Sequence, residues 1–240
     1  MLATKFGNRM DRTNKQILGS SIEPRHLRES LEESLVRLGT DYIDLFQWHE
    51  SNGLLDELPH LLDVLDDLVD EGKIRYYGWS TDDADRATQM AKRKNCLAIQ
   101  HRVHVFENPD TVAKMLAVCD EYDLASINRS PLMMGILTGK FEKGSTFAEG
   151  DVRHSIGFDF QNERFGSLLN RVESVREVLT SNGRTLAQGA LACLWARHPR
   201  TIPIPGFKTV VQVEENARAM DFGQLTAEQM TQIETILDRS

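Results

Sequence analysis

The sequence predicts an α/β fold, with a barrel favoured over an open sheet, and three observations point there. Short apolar runs alternate with longer stretches of helical periodicity, a pattern that implies parallel strands joined by right-handed crossovers. Polar residues close four of the apolar runs, Lys5, His49, Ser80 and Gln100; in a barrel such ends all face one mouth. No G-x-G-x-x-G turn follows the first run, whereas an open doubly wound sheet that binds a dinucleotide usually carries one.

The elements follow in order. LATK (2–5) reads as a strand ending on Lys5, with Phe6-Gly7 breaking the run. Ser20 and Ser21 precede Pro24, a good helix opening, and Leu27, Leu31, Leu35 and Leu38 then mark one helical face. The next strand is YIDLFQWH (42–49). Alternation puts Ile43, Leu45, Gln47 and His49 on one face and Tyr42, Asp44, Phe46 and Trp48 on the other. His49 therefore ends an inward-facing row. It either caps the strand through hydrogen bonds or takes part in chemistry, and Lys5 at the same end of the preceding strand favours chemistry. Leu54 to Glu71 is a second helix, with Leu58, Leu61, Leu62, Leu65, Leu68 and Val69 on its apolar face. Further strands are predicted at 74–80, 96–100, 124–128 and 201–206, and further helices near 83–93, 110–122, 163–181, 185–197 and 226–238. The Gly-rich, polar stretch 138–162 reads as a long loop, of the kind that is functional or mobile.

Composition narrows the function. The 240 residues, 40% hydrophobic, 7% aromatic and 27% charged, suit a single domain spanning 1–240. The net charge of −8, with no basic stripe, argues against a nucleic-acid partner. Cys96, Cys119 and Cys193 form no C-x-x-C pair, so neither a disulfide framework nor a zinc site is indicated. His101 and His104 have no acidic cluster to complete a metal site, and no metal is expected. No apolar stretch of 7–15 residues opens the chain, and none approaches the ~20 residues of a membrane span. The expectation is a cytoplasmic protein with no membrane partner.

Gly135-Ile-Leu-Thr-Gly139-Lys140 is not a P-loop. It has three residues between its glycines rather than four, and Phe141 follows the lysine. It remains a candidate backbone cradle for phosphate. No G-x-S-x-G elbow is present, which argues against a serine hydrolase.

Six segments, taken together, resemble the aldo-keto reductases: ATKFG (3–7), SLVRLGTDYIDLFQWH (34–49), EGKIRYYGWS (71–80), AIQ (98–100), SPLMMGILTGKF (130–141) and IPIPGFKTVVQVEEN (202–216). The resemblance implies an (α/β)8 barrel of TIM type that binds NADPH and reduces the carbonyl of a small substrate. It implies four catalytic residues: a tyrosine that donates the proton, a lysine that lowers its pKa, an aspartate that supports the lysine, and a histidine that orients the carbonyl. Lys5 matches the lysine of the family's third strand and His49 the histidine ending its fourth. The tyrosine and aspartate belong to the first two strand–helix units and have no counterpart here. The chain is therefore expected to be N-terminally truncated, with about six parallel strands and outer helices, exposed strand edges prone to self-association, and impaired catalysis. A non-catalytic nucleotide-binding or protein-interaction remnant is the alternative.

The resemblance also assigns the cofactor. Ser80 and Gln100 match residues that bind the nicotinamide carboxamide, although Thr81 stands where asparagine is usual. Arg129 takes the place of a stacking aromatic ring, and a planar guanidinium can also stack. Ser130, Leu132, Gly135, Leu137, Gly139 and Lys140 match the pyrophosphate loop. Gly206, Phe207, Lys208, Thr209, Gln212, Glu215 and Asn216 match the adenosine end. Lys208 and Thr209 suit a 2′-phosphate, which favours NADPH over NADH; Gln212 stands where some members place an arginine.

Overall fold

The computed structural model describes every residue except 12, 15, 148, 149, 156, 157, 161 and 240. The fold is α/β, of TIM-barrel type, with eight strands among the described residues, two of them in a separate antiparallel pair. The chain forms two compact units, residues 1–101 with 110–127, and residues 102–109 with 128–240.

In the first unit β1 (Ala3–Phe6) leads into a hairpin, β2 (Asn8–Asp11) and β3 (Gln16–Ser20). Then come α1 (Pro24–Leu38), β4 (Ile43–Trp48), α2 (Leu58–Asp70), β5 (Ile74–Ser80), α3 (Ala84–Ala91), β6 (Cys96–Arg102), α4 (Pro109–Glu121) and β7 (Ala125–Arg129). The sheet runs β1-β4-β5-β6-β7. The pairs β1–β4, β4–β5 and β5–β6 are parallel, as the strand–helix alternation requires.

All six residues of β4 are buried. Phe46 and Trp48 face the helices and pack with Leu27, Leu31, Leu61 and Leu65. A parallel sheet covered on both faces reads as a continuous apolar run. Leu38 departs from its expected place on the buried face of α1: it is 46% exposed. It is the last helical residue before Gly39, whose left-handed conformation ends the helix.

The hairpin was not expected from the sequence. Its strands pair antiparallel, with an irregularity between Arg9 and Met10. Ile17 and Leu18 are exposed, so no burial period marks the ribbon.

In the second unit α5 (Val152–Ser155) interrupts the predicted loop 138–162, part of which lies outside the described residues. It is followed by α6 (Glu163–Leu179), α7 (Leu186–Arg197), β8 (Thr201–Pro203), α8 (Val210–Arg218) and α9 (Ala227–Ile236). The end of β7 continues into this unit, where the Asn128 carbonyl accepts the Ile204 N–H at 3.0 Å. β8 is shorter than predicted. Pro203 and Pro205 lack the N–H a strand interior needs. α7 is buried along most of its length and packs with Val172, Val175 and Leu179 of α6. Thr185 opens it with a capping box to Gln188. Phe141, Phe147, Phe158 and Phe160 form an aromatic cluster, with ring centroids 5.2–6.3 Å apart. No described helix is long and apolar enough to cross a membrane.

Candidate active site and nucleotide-binding residues

In the first unit the predicted polar strand ends form one ordered row. Lys5 lies opposite Gln47 in the β1–β4 register, and the His49 N–H continues the ladder to the Phe6 carbonyl at 2.9 Å. Gln47 in turn lies opposite Gly78 of β5, and Ser80 opposite Gln100 of β6. Ser80 and Gln100 are buried, Lys5 is half-buried and His49 is exposed. The Asn8 side-chain amide approaches His49 Nδ1 at 3.1 Å.

Gly78 sets the spacing of this row. A Cβ there would come within 2.3 Å of the Ala98 carbonyl oxygen, so any larger residue would push β5 away from β6. Beneath the row Trp48 and Trp79 stack, with centroids 4.4 Å apart and planes inclined at 25°. The Trp79 indole donates to the Glu50 carbonyl at 2.8 Å.

Thr81, the neighbour of Ser80, is committed elsewhere. Its hydroxyl donates to the Ser51 carbonyl at 3.0 Å and accepts from the Asp83 N–H at 3.2 Å. It anchors the loop after β4. Gln47 was missed by the sequence reading, although alternation placed it in the same row as His49. It is 2% exposed, and its Oε1 has no hydrogen-bond partner among the described residues.

The second unit holds the residues matched to the phosphates. Arg129 ends β7 half-buried. Ser130, Met133, Met134 and Gly135 all take positive φ, at 57°, 47°, 56° and 95°. Such backbone is costly outside glycine, and it turns successive N–H groups into a concavity suited to anions. The loop is held by Gly135 N–H to Leu132 O at 2.9 Å and by the Thr138 hydroxyl to Gly135 O at 2.7 Å. Leu132 and Leu137 turn their side chains into the core, so they can meet a ligand only through backbone. Gly139 closes the turn with φ 73°.

Lys140 follows at the surface, its ammonium 5.0 Å from the Phe141 ring centre. Partial burial, then the charges of Arg153 and Lys208, hold it below the usual lysine range. Arg153 was not read from the sequence. Its guanidinium sits 4.2 Å from the Phe147 ring centre and pairs with Asp151 at 2.6 Å. Three cations thus influence one loop, with one carboxylate among them. Hydrogen bonds from Arg153 hold Asp151 far below the usual carboxylate range.

Gly206, Phe207, Lys208 and Thr209 are exposed before α8, and Gln212, Glu215 and Asn216 are half-buried on it. Thr209 caps α8 by accepting the Gln212 N–H at 3.3 Å. The Glu215 carbonyl accepts from Gln188 Nε2 at 3.0 Å.

His101 and His104 have structural places. His101 Nε2 is 2.7 Å from Ser126 Oγ, and buried His104 lies 3.3 Å from Glu107. Among the described residues no group of three His, Cys, Asp or Glu is placed to hold a metal.

Comparison with known proteins identifies the family. The family model described as the aldo/keto reductase family matches residues 1–238, and the chain belongs to that family. It is 33% identical over 225 residues to the aldo-keto reductase yakc [NADP(+)] of Schizosaccharomyces pombe, covering 91% of this chain and 64% of that protein. It is 30% identical to the aldo-keto reductase str7 of Strobilurus tenacellus, over 100% of this chain and 69% of the relative. Among solved structures, the glycerol dehydrogenase AKR11B4 of Gluconobacter oxydans superposes with a TM-score of 0.83 at 26% identity, covering 99% of this chain and 72% of that one.

Proposed function

We propose that this chain binds NADPH and serves the reduction of aldehyde and ketone carbonyls to alcohols. The observation that carries the reading is the row Lys5, His49, Ser80 and Gln100, set on neighbouring strands of one sheet. The fission-yeast relative, whose name includes NADP(+), supports the choice of cofactor.

The donor set fits the nucleotide. In the first unit a hydroxyl, a buried amide and the unmet acceptor of Gln47 suit a carboxamide. In the second unit the left-handed loop and Lys140 suit a diphosphate, with Arg129 as a planar stacking surface. Lys208 and Thr209 at the start of α8 suit a 2′-phosphate. Bound NADPH supplies the hydride.

Negative charge then grows on the carbonyl oxygen. His49 holds that oxygen by a hydrogen bond, and Lys5 stabilises the charge from the adjacent strand. A positioned proton donor is typically worth about 10²–10⁴-fold. No tyrosine of this chain stands in the row. Tyr42 stacks under Arg75, Tyr77 donates to Asp66 at 2.9 Å, Tyr76 lies within β5 four residues before Ser80, and Tyr122 follows α4. We therefore expect these 240 residues to bind NADPH but turn over slowly. That tyrosine placement also favours the second reading, nucleotide binding without reduction.

Calorimetric titration with NADPH, paired with NADPH oxidation in the presence of a simple aldehyde, tests both. Binding with slow oxidation that His49→Ala abolishes supports reduction. Binding with no oxidation supports the second reading. Absence of NADPH binding sinks both.

A further inference from the structure

Asn8 begins the hairpin that the sequence did not reveal. Gly7 turns the chain out of β1 at φ 111°, and the Ser21 N–H donates to the Gly7 carbonyl at 2.7 Å. Asn8 itself pairs with Ser20 across the hairpin. The turn is therefore fixed from both sides, and it brings Asn8 Nδ2 to 3.1 Å from His49 Nδ1.

An amide NH₂ group can donate but not accept. Nδ1 must then offer its lone pair, and a neutral imidazole so engaged carries its one proton on Nε2. The partner of one ring nitrogen decides what the other can do. Through its Nε2–H such a ring donates to a carbonyl oxygen; in the opposite tautomer Nε2 could only accept, and would repel that oxygen.

From this contact we infer that Asn8 is a positioning residue, which selects the tautomer of His49 and fixes the plane of its ring. Its bearing on carbonyl reduction rests on the reading above; the tautomer does not. The hairpin thus has a use beyond connecting β1 to α1. It holds a donor against the back of the imidazole, the reverse of the acceptor that more often stands there, and like that acceptor it sets the tautomer and the ring orientation.

The test is nitrogen-15 NMR of the His49 ring in the whole chain at a pH where the ring is neutral. The native protein should show a pyridine-like Nδ1 and a pyrrole-like Nε2. Asn8→Ala should move both resonances toward an averaged pair. Asn8→Asp, nearly isosteric, places an acceptor there and should move the proton to Nδ1, reversing the pattern. Amide spectra of both variants establish that they fold. The inference is overturned if native His49 already carries its proton on Nδ1, or if both folded variants leave the ring signals unmoved. If oxidation of NADPH is measurable, kcat should fall at least tenfold in Asn8→Asp with KM for NADPH unchanged. Altered ring signals without NADPH binding would sink the reductase reading and leave the tautomer assignment standing.

Discussion

Gln212 accepts the Lys208 backbone N–H on its Oε1 at 2.6 Å, and its own N–H returns to Thr209 Oγ1 at 3.3 Å. The turn that presents Lys208 is thus tied to the first turn of α8. Two effects should separate on mutation. Lys208→Ala removes one charge-assisted contact, and NADPH binding should weaken by about 1–3 kcal/mol while NADH binding stays unchanged. Added salt should erode the NADPH preference of the native chain, since screening acts on the same contact. Calorimetry with both nucleotides checks this; equal native affinities would show the loop is misread.

Gly78→Ala should be severely destabilising. The new Cβ meets the Ala98 carbonyl oxygen, which belongs to the backbone of β6 and cannot rotate aside. A loss of more than about 3 kcal/mol, among the large values for single substitutions, is expected in urea unfolding. A shift within about 0.5 kcal/mol would show that β5 and β6 can separate freely.

His104 should make the fold sensitive to acid. Burial is the leading cause that lowers its pKa to about 4; Glu107 opposes it, while Arg102, Arg197 and Arg171 reinforce it. Glu107 lies 3.3 Å away but is already held by Arg102 at 2.7 Å, so burial prevails and the ring is neutral near pH 7. For a base whose folded pKa is depressed, the unfolded chain takes up the proton first. The stabilisation is therefore complete above about pH 6.5, the ordinary histidine value, and is lost as pH falls towards about 4. His104→Gln should melt with a shallower dependence on pH across that window. An identical slope in the variant would exclude His104 as the cause.

Among the described residues β1 pairs with β4 and stands first in the strand order, and an edge strand invites pairing with another chain. The apparent mass by light scattering should rise with protein concentration. Ala3→Lys, a charge on that exposed edge strand, should reduce the rise. A constant monomer mass in the native chain would contradict this.

The β-branched and aromatic runs made the sheet strands legible, because a strand covered on both sides must be apolar nearly throughout. Lys5, His49, Ser80 and Gln100 were legible for a related reason, as polar residues closing those runs. Asn8 was not, since its hairpin exposes Ile17 and Leu18 and buries no face. α8 was also missed: Val210 and Val211 are each 72% exposed, so the apolar stripe that normally announces a helix is absent. Arg153 could not be found from spacing at all. It reaches Lys140 only through the fold of the intervening loop, and thirteen positions along the chain say nothing about that.

The stacked indoles of Trp48 and Trp79 make the site optically self-reporting. Each ring belongs to the residue just before a site residue, His49 or Ser80, and two transitions held 4.4 Å apart at 25° should couple into a paired circular-dichroism band. Trp195 is the third tryptophan and lies on α7 in the other unit, so Trp48→Phe should collapse the band to a single weak feature. Both indoles are buried, and Trp79 is held by its bond to the Glu50 carbonyl, so the amplitude of the couplet would report, without any added label, whether β4 and β5 keep their register when a nucleotide is added.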